Sequence, residues 1–166
     1  MSPNHERHCD THAFMAVCPE DRVTAFVAAD PSTIWEMVSD ITRMGEWSPE
    51  CYKAIWLSPK RGKGAVFLGL NRDRGLSWPS PAIVTEFERA KAFAFRAASG
   101  VVWRYRLAPE NGGTRLVEER VTDGEFRWVK TGYRLFLGGY DRRVDVLRAG
   151  MRTTLERIKA GAEQGG

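Results

Sequence analysis

The sequence has no long apolar run and lacks several short motifs that mark particular chemistries. No stretch approaches the ~18–20 apolar residues that span a bilayer, so we expect no membrane insertion. There is no G-x-S-x-G, H-E-x-x-H, Walker A or G-x-G-x-x-G motif. These absences argue against the hydrolase, zinc-protease and nucleotide-binding classes, and we predict a protein without a cofactor.

Cysteine is scarce, and the charge of the chain is only mildly positive. Cys9, Cys18 and Cys51 are an odd number of cysteines, which argues against a disulfide framework. The net charge is +4, and much of the excess comes from 141–159, where six Lys/Arg accompany three Asp/Glu. We interpret that segment as a solvated helix face and expect no nucleic-acid partner. The first residues lack the charged-then-apolar order of a signal peptide, so a cytoplasmic protein is expected.

Residues 1–20 contain all three histidines and show no steady hydrophobic period. We predict a flexible N-terminal arm there, followed by a single domain over 21–166. On a helix, His5, His8, Cys9 and His12 would lie along one side and resemble a soft-metal set. Because the segment is terminal and has no packing stripe, we predict no metal.

Aromatic residues, by contrast, are abundant. They make up 11% of the chain and include six tryptophans, while hydrophobic residues reach 43%. Such a composition favours a large apolar interior or an aromatic-lined pocket.

Hydrophobic periodicity predicts an α+β order of elements. A strand over 22–28 precedes a helix over 31–39, with Asp30 as N-cap and Pro31 at its first position, and a second helical turn or two before Pro49. Six strands with short turns follow, over 51–57, 65–72, 76–88, 92–98, 101–108 and 114–121. The two prolines in 76–88 indicate an edge or a bend in its first part.

The most regular pattern in the chain lies near its end. From about Tyr140, apolar residues recur at steps of three, four, four, three and four, which predicts an amphipathic helix; they are Val144, Leu147, Met151, Leu155, Ile158 and Ala162. Consecutive strands with short turns predict an antiparallel sheet, and this helix would cover one face. Six strands curl under their own twist, so a gap remains that large side chains or a ligand must fill.

With these elements in place, the sequence resembles the START/Bet v 1-like (SRPBCC) superfamily, and within it the polyketide cyclase/dehydrase and lipid-transport group. The resemblance runs from about Arg22 to Ala162. It is carried by AADPSTIWEMVSD (28–40), WSPE (47–50), GLNRDRGLSW (69–78), FAFRA (93–97), VVWRYRL (101–107) and GGTRLVEERV (112–121). The segment 123–139 has no counterpart that can be carried over.

The resemblance implies a helix-grip fold, in which a curved antiparallel sheet wraps around the long C-terminal helix and two short helices follow strand 1. It also implies a hydrophobic cavity, since members bind lipids, sterols, polyketides or plant hormones and some catalyse cyclisation or dehydration. The predicted ligand-binding residues are Trp47, Trp56, Phe67, Asn71, Trp78, Phe95, Trp103, Tyr105, Phe136 and Met151. The alternative for the aromatic ones is a filled core, and for Asn71 a place at a strand end.

Two adjacent carboxyl groups are the weak catalytic candidates. Glu118 and Glu119 neighbour each other on a strand and so face opposite sides, which points one of them inward. An inward carboxyl group in an apolar cavity is a candidate general acid or base, with Tyr105 or Arg104 as helper. The alternative is a salt bridge to Arg104, Arg106 or Arg120 across the hairpin.

Three functions remain open from the sequence. We favour a binding or carrier module for a small hydrophobic molecule, as a monomer or homodimer. An aromatase/cyclase or dehydratase-type enzyme would need an inward carboxyl group beside a polar partner. A protein–protein interaction module would need a filled interior and an exposed apolar patch.

Overall fold

Seven strands and three α-helices make up the part of the chain that the structure, a computed structural model, describes: residues 21–122 and 140–165. In chain order these elements are β1 (Asp21–Val27), α1 (Pro31–Ser39), a 3₁₀ turn (Ile41–Arg43), α2 (Met44–Trp47), β2 (Cys51–Trp56), β3 (Val66–Asp73), β4 (Leu76–Glu88), β5 (Ala92–Ala97), β6 (Val101–Glu110), β7 (Gly113–Thr122) and α3 (Tyr140–Gln164). The predicted N-terminal arm lies outside the described residues. None of the described helices combines the length and apolarity needed to cross a membrane.

All seven strands belong to one antiparallel sheet of order β1-β7-β6-β5-β4-β3-β2. The register shifts between Cys51 and Lys53 and again between Val84 and Glu86. Such bulges bend strands and increase their twist. The sheet curves around α3, so the predicted helix-grip fold is confirmed.

The two prolines of β4 lie where that strand has a single partner. Pro79 and Pro81 pair with β3, whereas the pairing with β5 begins only at Ala82. Proline has no N–H to donate, so it is tolerated at such a one-sided stretch. The predicted edge in the first part of this strand is therefore confirmed.

The short helices begin and end as their sequence indicates. Pro31 opens α1, and Asp30 is its N-cap residue, although the Asp30 side chain makes no capping hydrogen bond. Asp40 caps the next turn instead, because its Oδ1 accepts a hydrogen bond from the Thr42 backbone N–H at 3.2 Å. Gly45 lies inside α2, where a Cβ atom would collide with the carbonyl oxygen of Tyr52. This glycine therefore lets α2 pack directly against β2.

A continuous row of aromatic rings crosses the inner face of the sheet. Neighbouring ring centroids lie 4.9–6.1 Å apart, in the order Trp35, Phe87, Phe93, Phe95, Phe67 and Trp56. Most of these pairs meet edge-to-face, which is the favoured geometry for aromatic side chains. The row begins at Trp35 of α1, which also donates its Nε1–H to the Ala92 carbonyl at 3.3 Å.

The apolar stripe of α3 packs onto the sheet as predicted, with one exception at its start. Leu147, Met151, Leu155 and Ile158 are buried. At the first turn the buried residue is Arg143, whereas Val144 is only half-buried. The start of the stripe therefore differs from the prediction by one residue.

Candidate ligand-binding site

A cavity of about 830 Å³ lies between the curved sheet and the first half of α3. Side chains from the α2–β2 junction, from strands β2 to β7 and from α3 line it. Its lining is mostly apolar and includes small residues, such as Ala82, Ala97 and Gly150, that leave the space open. The volume falls within the ~300–1,000 Å³ range typical of small-molecule sites.

The structure brings most of the predicted ligand-binding residues together around this cavity. Those that line it are Phe67, Asn71, Trp78, Phe95, Trp103, Tyr105 and Met151. Phe67 and Phe95 also belong to the aromatic row, so one wall of the cavity is the packed core itself. Their role in binding a ligand stays a prediction.

Trp47 and Trp56 do not line this cavity, and their role in binding a ligand stays a prediction. Trp47 is buried in the hydrophobic core, with the Arg43 guanidinium 5.0 Å from its ring centroid. Trp56 packs edge-to-face on Phe67, behind the cavity wall. Neither ring is among the described lining residues, because each turns into the packed core beside the cavity. Phe136 lies outside the described residues.

Glu118 carries the most buried of the carboxyl groups that line the cavity. Its side chain is only 3% exposed, and its Oε1 accepts a hydrogen bond from the Tyr105 hydroxyl at 3.1 Å. Removal from water raises the pKa of Glu118 to about 8, although the Tyr105 hydrogen bond lowers it in part. Burial, and then the Glu118 charge, raises the pKa of Tyr105 well above its ordinary value. At neutral pH the cavity therefore holds a neutral carboxylic acid beside a neutral phenol.

Glu119 points to the opposite face of the sheet, as alternation along β7 predicts. Its carboxylate accepts hydrogen bonds from the Arg22 side chain and lies 3.6 Å from Arg104 and 3.5 Å from Arg106. The predicted salt bridge across the hairpin therefore exists for Glu119, and Glu118 is the inward residue. Arg104, the other predicted helper, pairs with Glu86 and Glu119 on the outer face, and its catalytic role stays a prediction.

A second polar group in the lining surrounds Arg143. Its guanidinium pairs with Glu50 at 2.5 Å, lies 3.6 Å from Asp73 and sits 5.7 Å from the centroid of Trp78. Burial raises the pKa of Glu50, and the charge of Arg143 lowers it in part. The positive charge of Arg143 is thus already balanced by carboxyl groups from β3 and the α2–β2 junction.

Arg143 was missed by sequence reasoning, which assigned the basic residues of α3 to a solvated face. The signal was present in the helical spacing. Arg143 stands four residues before Leu147 and therefore continues the buried stripe backwards by one turn.

Within residues 21–122 and 140–165, the other reactive side chains give no sign of nucleophilic or metal chemistry. The Cys51 thiol lines the cavity, and burial raises its pKa to about 11, so it stays a neutral thiol. Within the described ranges, no three His, Cys, Asp or Glu side chains group as metal ligands. The cluster of His5, His8, Cys9 and His12 lies outside these ranges.

A curved sheet that wraps around a helix and encloses a cavity defines a helix-grip protein. Comparison with known proteins identifies the family within this fold. The model of the family described as polyketide cyclase / dehydrase and lipid transport matches residues 21–163. The chain belongs to this family. No curated protein gives a significant match.

Several solved structures share the fold. The Polyketide_cyc-like protein Cgl2372 from Corynebacterium glutamicum is 28% identical, with 84% of this chain and 88% of that chain covered and a TM-score of 0.56. The di-domain ARO/CYC StfQ from the steffimycin biosynthetic pathway is 14% identical, with a TM-score of 0.69 over 87% of this chain and 50% of that one. The protein Ara h 8.0201 is 11% identical, with a TM-score of 0.63 over 86% and 95% of the two chains. At under 25% identity, the last two show the fold alone.

Proposed function

We propose that the protein binds a small hydrophobic molecule in the cavity between the sheet and α3. The observation that carries this proposal is the cavity of about 830 Å³ walled by Phe67, Phe95, Trp78 and Trp103. An unfilled apolar cavity lowers stability in proportion to its volume, so filling it with an apolar guest is favourable. The family description, which names lipid transport, supports the same class of ligand.

The direct test is native mass spectrometry of the protein purified from its own host. A co-purifying small molecule is the expected result, followed by binding of at least one member of a panel of fatty acids, sterols and aromatic polyketides. A clean apo mass together with no binding from the panel would overturn the proposal.

Two tryptophans provide a matched pair of variants. Trp103→Ala removes a half-buried ring from the cavity wall, so we expect ligand affinity to fall about tenfold or more with a modest loss of stability. Trp47→Ala removes a ring from the core away from the cavity and should cost ~3–5 kcal/mol of unfolding free energy. Urea unfolding and titration of the panel ligand measure both quantities. If Trp103→Ala only unfolds the protein, the cavity assignment fails.

A second candidate function is acid–base catalysis on the bound ligand, favoured by one observation. Glu118 is an inward, desolvated carboxyl group with Tyr105 as a polar partner. In such a reaction the Glu118 carboxylate takes a proton from the carbon next to a ligand carbonyl, and the Tyr105 hydroxyl donates one to the carbonyl oxygen. After the proton on Glu118 has exchanged with solvent, reversal of these steps delivers a solvent-derived hydrogen to the carbon and returns the other proton to Tyr105.

This catalytic alternative predicts isotope exchange in a bound ketone. In deuterated buffer near pH 8, the methyl hydrogens of acetyl-dimethylaminonaphthalene should exchange ~100-fold or more faster with wild-type protein than with Glu118→Gln. Mass spectrometry of the recovered ketone measures the exchange. Equal exchange rates with wild-type protein and Glu118→Gln would contradict catalysis by Glu118 and favour the carrier function.

The remaining hypothesis, a protein–protein module, required a filled interior. The cavity runs against that requirement. The expected cytoplasmic location and the monomeric or dimeric state stay predictions.

A further inference from the structure

One oxygen of Glu118 has no partner in the part of the chain that the structure describes. Tyr105 occupies Oε1, whereas Oε2 is fully buried without a hydrogen bond. Glu118 is among the residues that line the cavity, and because Oε2 itself has almost no accessible surface, a ligand reaches it only when the carboxyl group turns toward the cavity. Buried polar atoms are nearly always hydrogen-bonded, and leaving one unpaired is costly. The cavity therefore contains one unmet hydrogen-bonding requirement at a defined atom.

The surroundings of Glu118 favour its neutral form. The titratable group of β6 that faces Glu118 is the neutral Tyr105 phenol. The titratable group of β2 on this side is the Cys51 thiol, which lies near Tyr105 and is also neutral. From β1, the residue paired with Glu118 is the apolar Val23. From α3, the charged residue that lines the cavity is Arg143, which pairs with Glu50 and Asp73. Desolvation and Tyr105 account for the pKa of about 8, with no charged partner among the described residues.

A protonated carboxyl group with Oε1 held by Tyr105 has one hydrogen to donate. Since Oε1 already accepts from the phenol, the proton belongs on Oε2, the oxygen that lacks a partner. A group in the ligand that satisfies this donor must be an acceptor.

We propose that the ligand is an uncharged molecule with an acceptor oxygen, such as a ketone, which binds to the cavity wall by accepting a hydrogen bond from Glu118 Oε2. This inference rests on the proposed ligand-binding function and narrows it to a class of ligand. A carboxylate ligand fits poorly, because burying an anion requires a cation. Of the two described cations in the lining, Arg143 is buried and already pairs with Glu50 and Asp73, whereas Arg72 is exposed and lies over the Tyr52 ring.

Three fluorescent probes with one skeleton test this selectivity. They are dimethylaminonaphthalene, its acetyl derivative and its carboxylate derivative. At pH 6.5 the wild-type protein should bind the acetyl derivative about tenfold more tightly than the parent, and the carboxylate derivative most weakly. The infrared carbonyl stretch of the bound ketone should also fall in frequency, which reports the hydrogen bond directly.

The pH dependence of probe binding distinguishes a hydrogen bond from Glu118 from a general preference of the cavity for polar ligands. As the pH rises through about 8, Glu118 loses its proton and Oε2 becomes an acceptor, so the preference for the ketone should disappear while binding of the parent is unchanged. Glu118→Gln keeps an N–H donor at every pH and should retain the preference without pH dependence. Tyr105→Phe removes a hydrogen bond that lowers the pKa of Glu118, so the loss should move to higher pH.

Glu119→Gln is the matched control, because the neighbouring carboxyl group lies on the outer face of the sheet. It should change neither the preference nor its pH dependence. Equal affinity of wild-type protein for parent and ketone, or tightest binding of the carboxylate, would overturn the Glu118 inference and leave ligand binding standing. Failure of all three probes to bind, together with a negative result from the wider panel, would overturn the proposed function itself.

Discussion

Glu118→Gln is expected to stabilise the protein at pH 8 and to remove much of the pH dependence of its stability between pH 5 and 8. Burial raises the pKa of Glu118 from 4.5 to about 8, so between these values the folded state holds a proton that the unfolded state has released. The free energy of unfolding therefore falls as the pH rises through this window. The gap between the two pKa values corresponds to about 5 kcal/mol when the pH exceeds both of them.

Urea unfolding of wild-type and variant protein across this pH range measures the effect. Glutamine is neutral throughout, so the variant should show a flatter profile, and the two proteins should differ most at the alkaline end. Glu110→Gln serves as control, because Glu110 is 40% exposed and its pairing with Arg115 is of surface type. Parallel profiles for wild type and Glu118→Gln would show that Glu118 is ionised or solvated in the folded protein.

Asp21→Asn is expected to lower the free energy of unfolding by ~3–5 kcal/mol. The Asp21 side chain is 1% exposed and accepts hydrogen bonds from Arg120 at 2.6 and 3.0 Å. Its other oxygen accepts from Arg148 of α3 at 2.8 Å. One carboxylate thus joins β1, β7 and α3, and its loss leaves the buried Arg120 without this counter-charge.

The matched control is Glu36→Gln, which removes one charge from an exposed pair. Glu36 and Arg89 have side chains that are 62% and 73% exposed, so the expected loss is under ~1 kcal/mol. Chemical denaturation of both variants at pH 7 measures the difference. Similar small losses in the two would show that the Asp21 network contributes little beyond a surface ion pair.

The order of elements was predictable because each carries a local pattern. Trp103, Tyr105 and Leu107 alternate with Arg104 and Arg106 along β6, and the structure places the two sets on opposite faces. The turn at Asn111-Gly112 has positive φ at both residues, as a two-residue hairpin requires. Periodicity of this kind depends only on neighbours in the chain, so it can be recognised from the sequence without knowledge of the tertiary structure.

The candidate site was less predictable, because which residues line the cavity depends on distances between segments that are remote in the sequence. Alternation alone could say that Glu118 and Glu119 face opposite ways, but the choice of inward residue depends on strand register. Trp47 is the last residue of α2, where the direction of the side chain is set by packing against the core rather than by helical periodicity. Arg143 was assigned to the surface by its charge, although its burial depends on Glu50 and Asp73 approaching from other elements.

The strand order also determines when the cavity can form during folding. The side chains of Arg22 and Glu119, which join β1 to β7, are 97 residues apart along the chain. Pairing over such a separation closes a long loop and is characteristic of slow folding. During synthesis on the ribosome, β1 must wait for its neighbour until residues 113–122 have been made. The cavity closes later still, since α3 supplies its final wall, so any molecule that enters it meets only the last stage of folding.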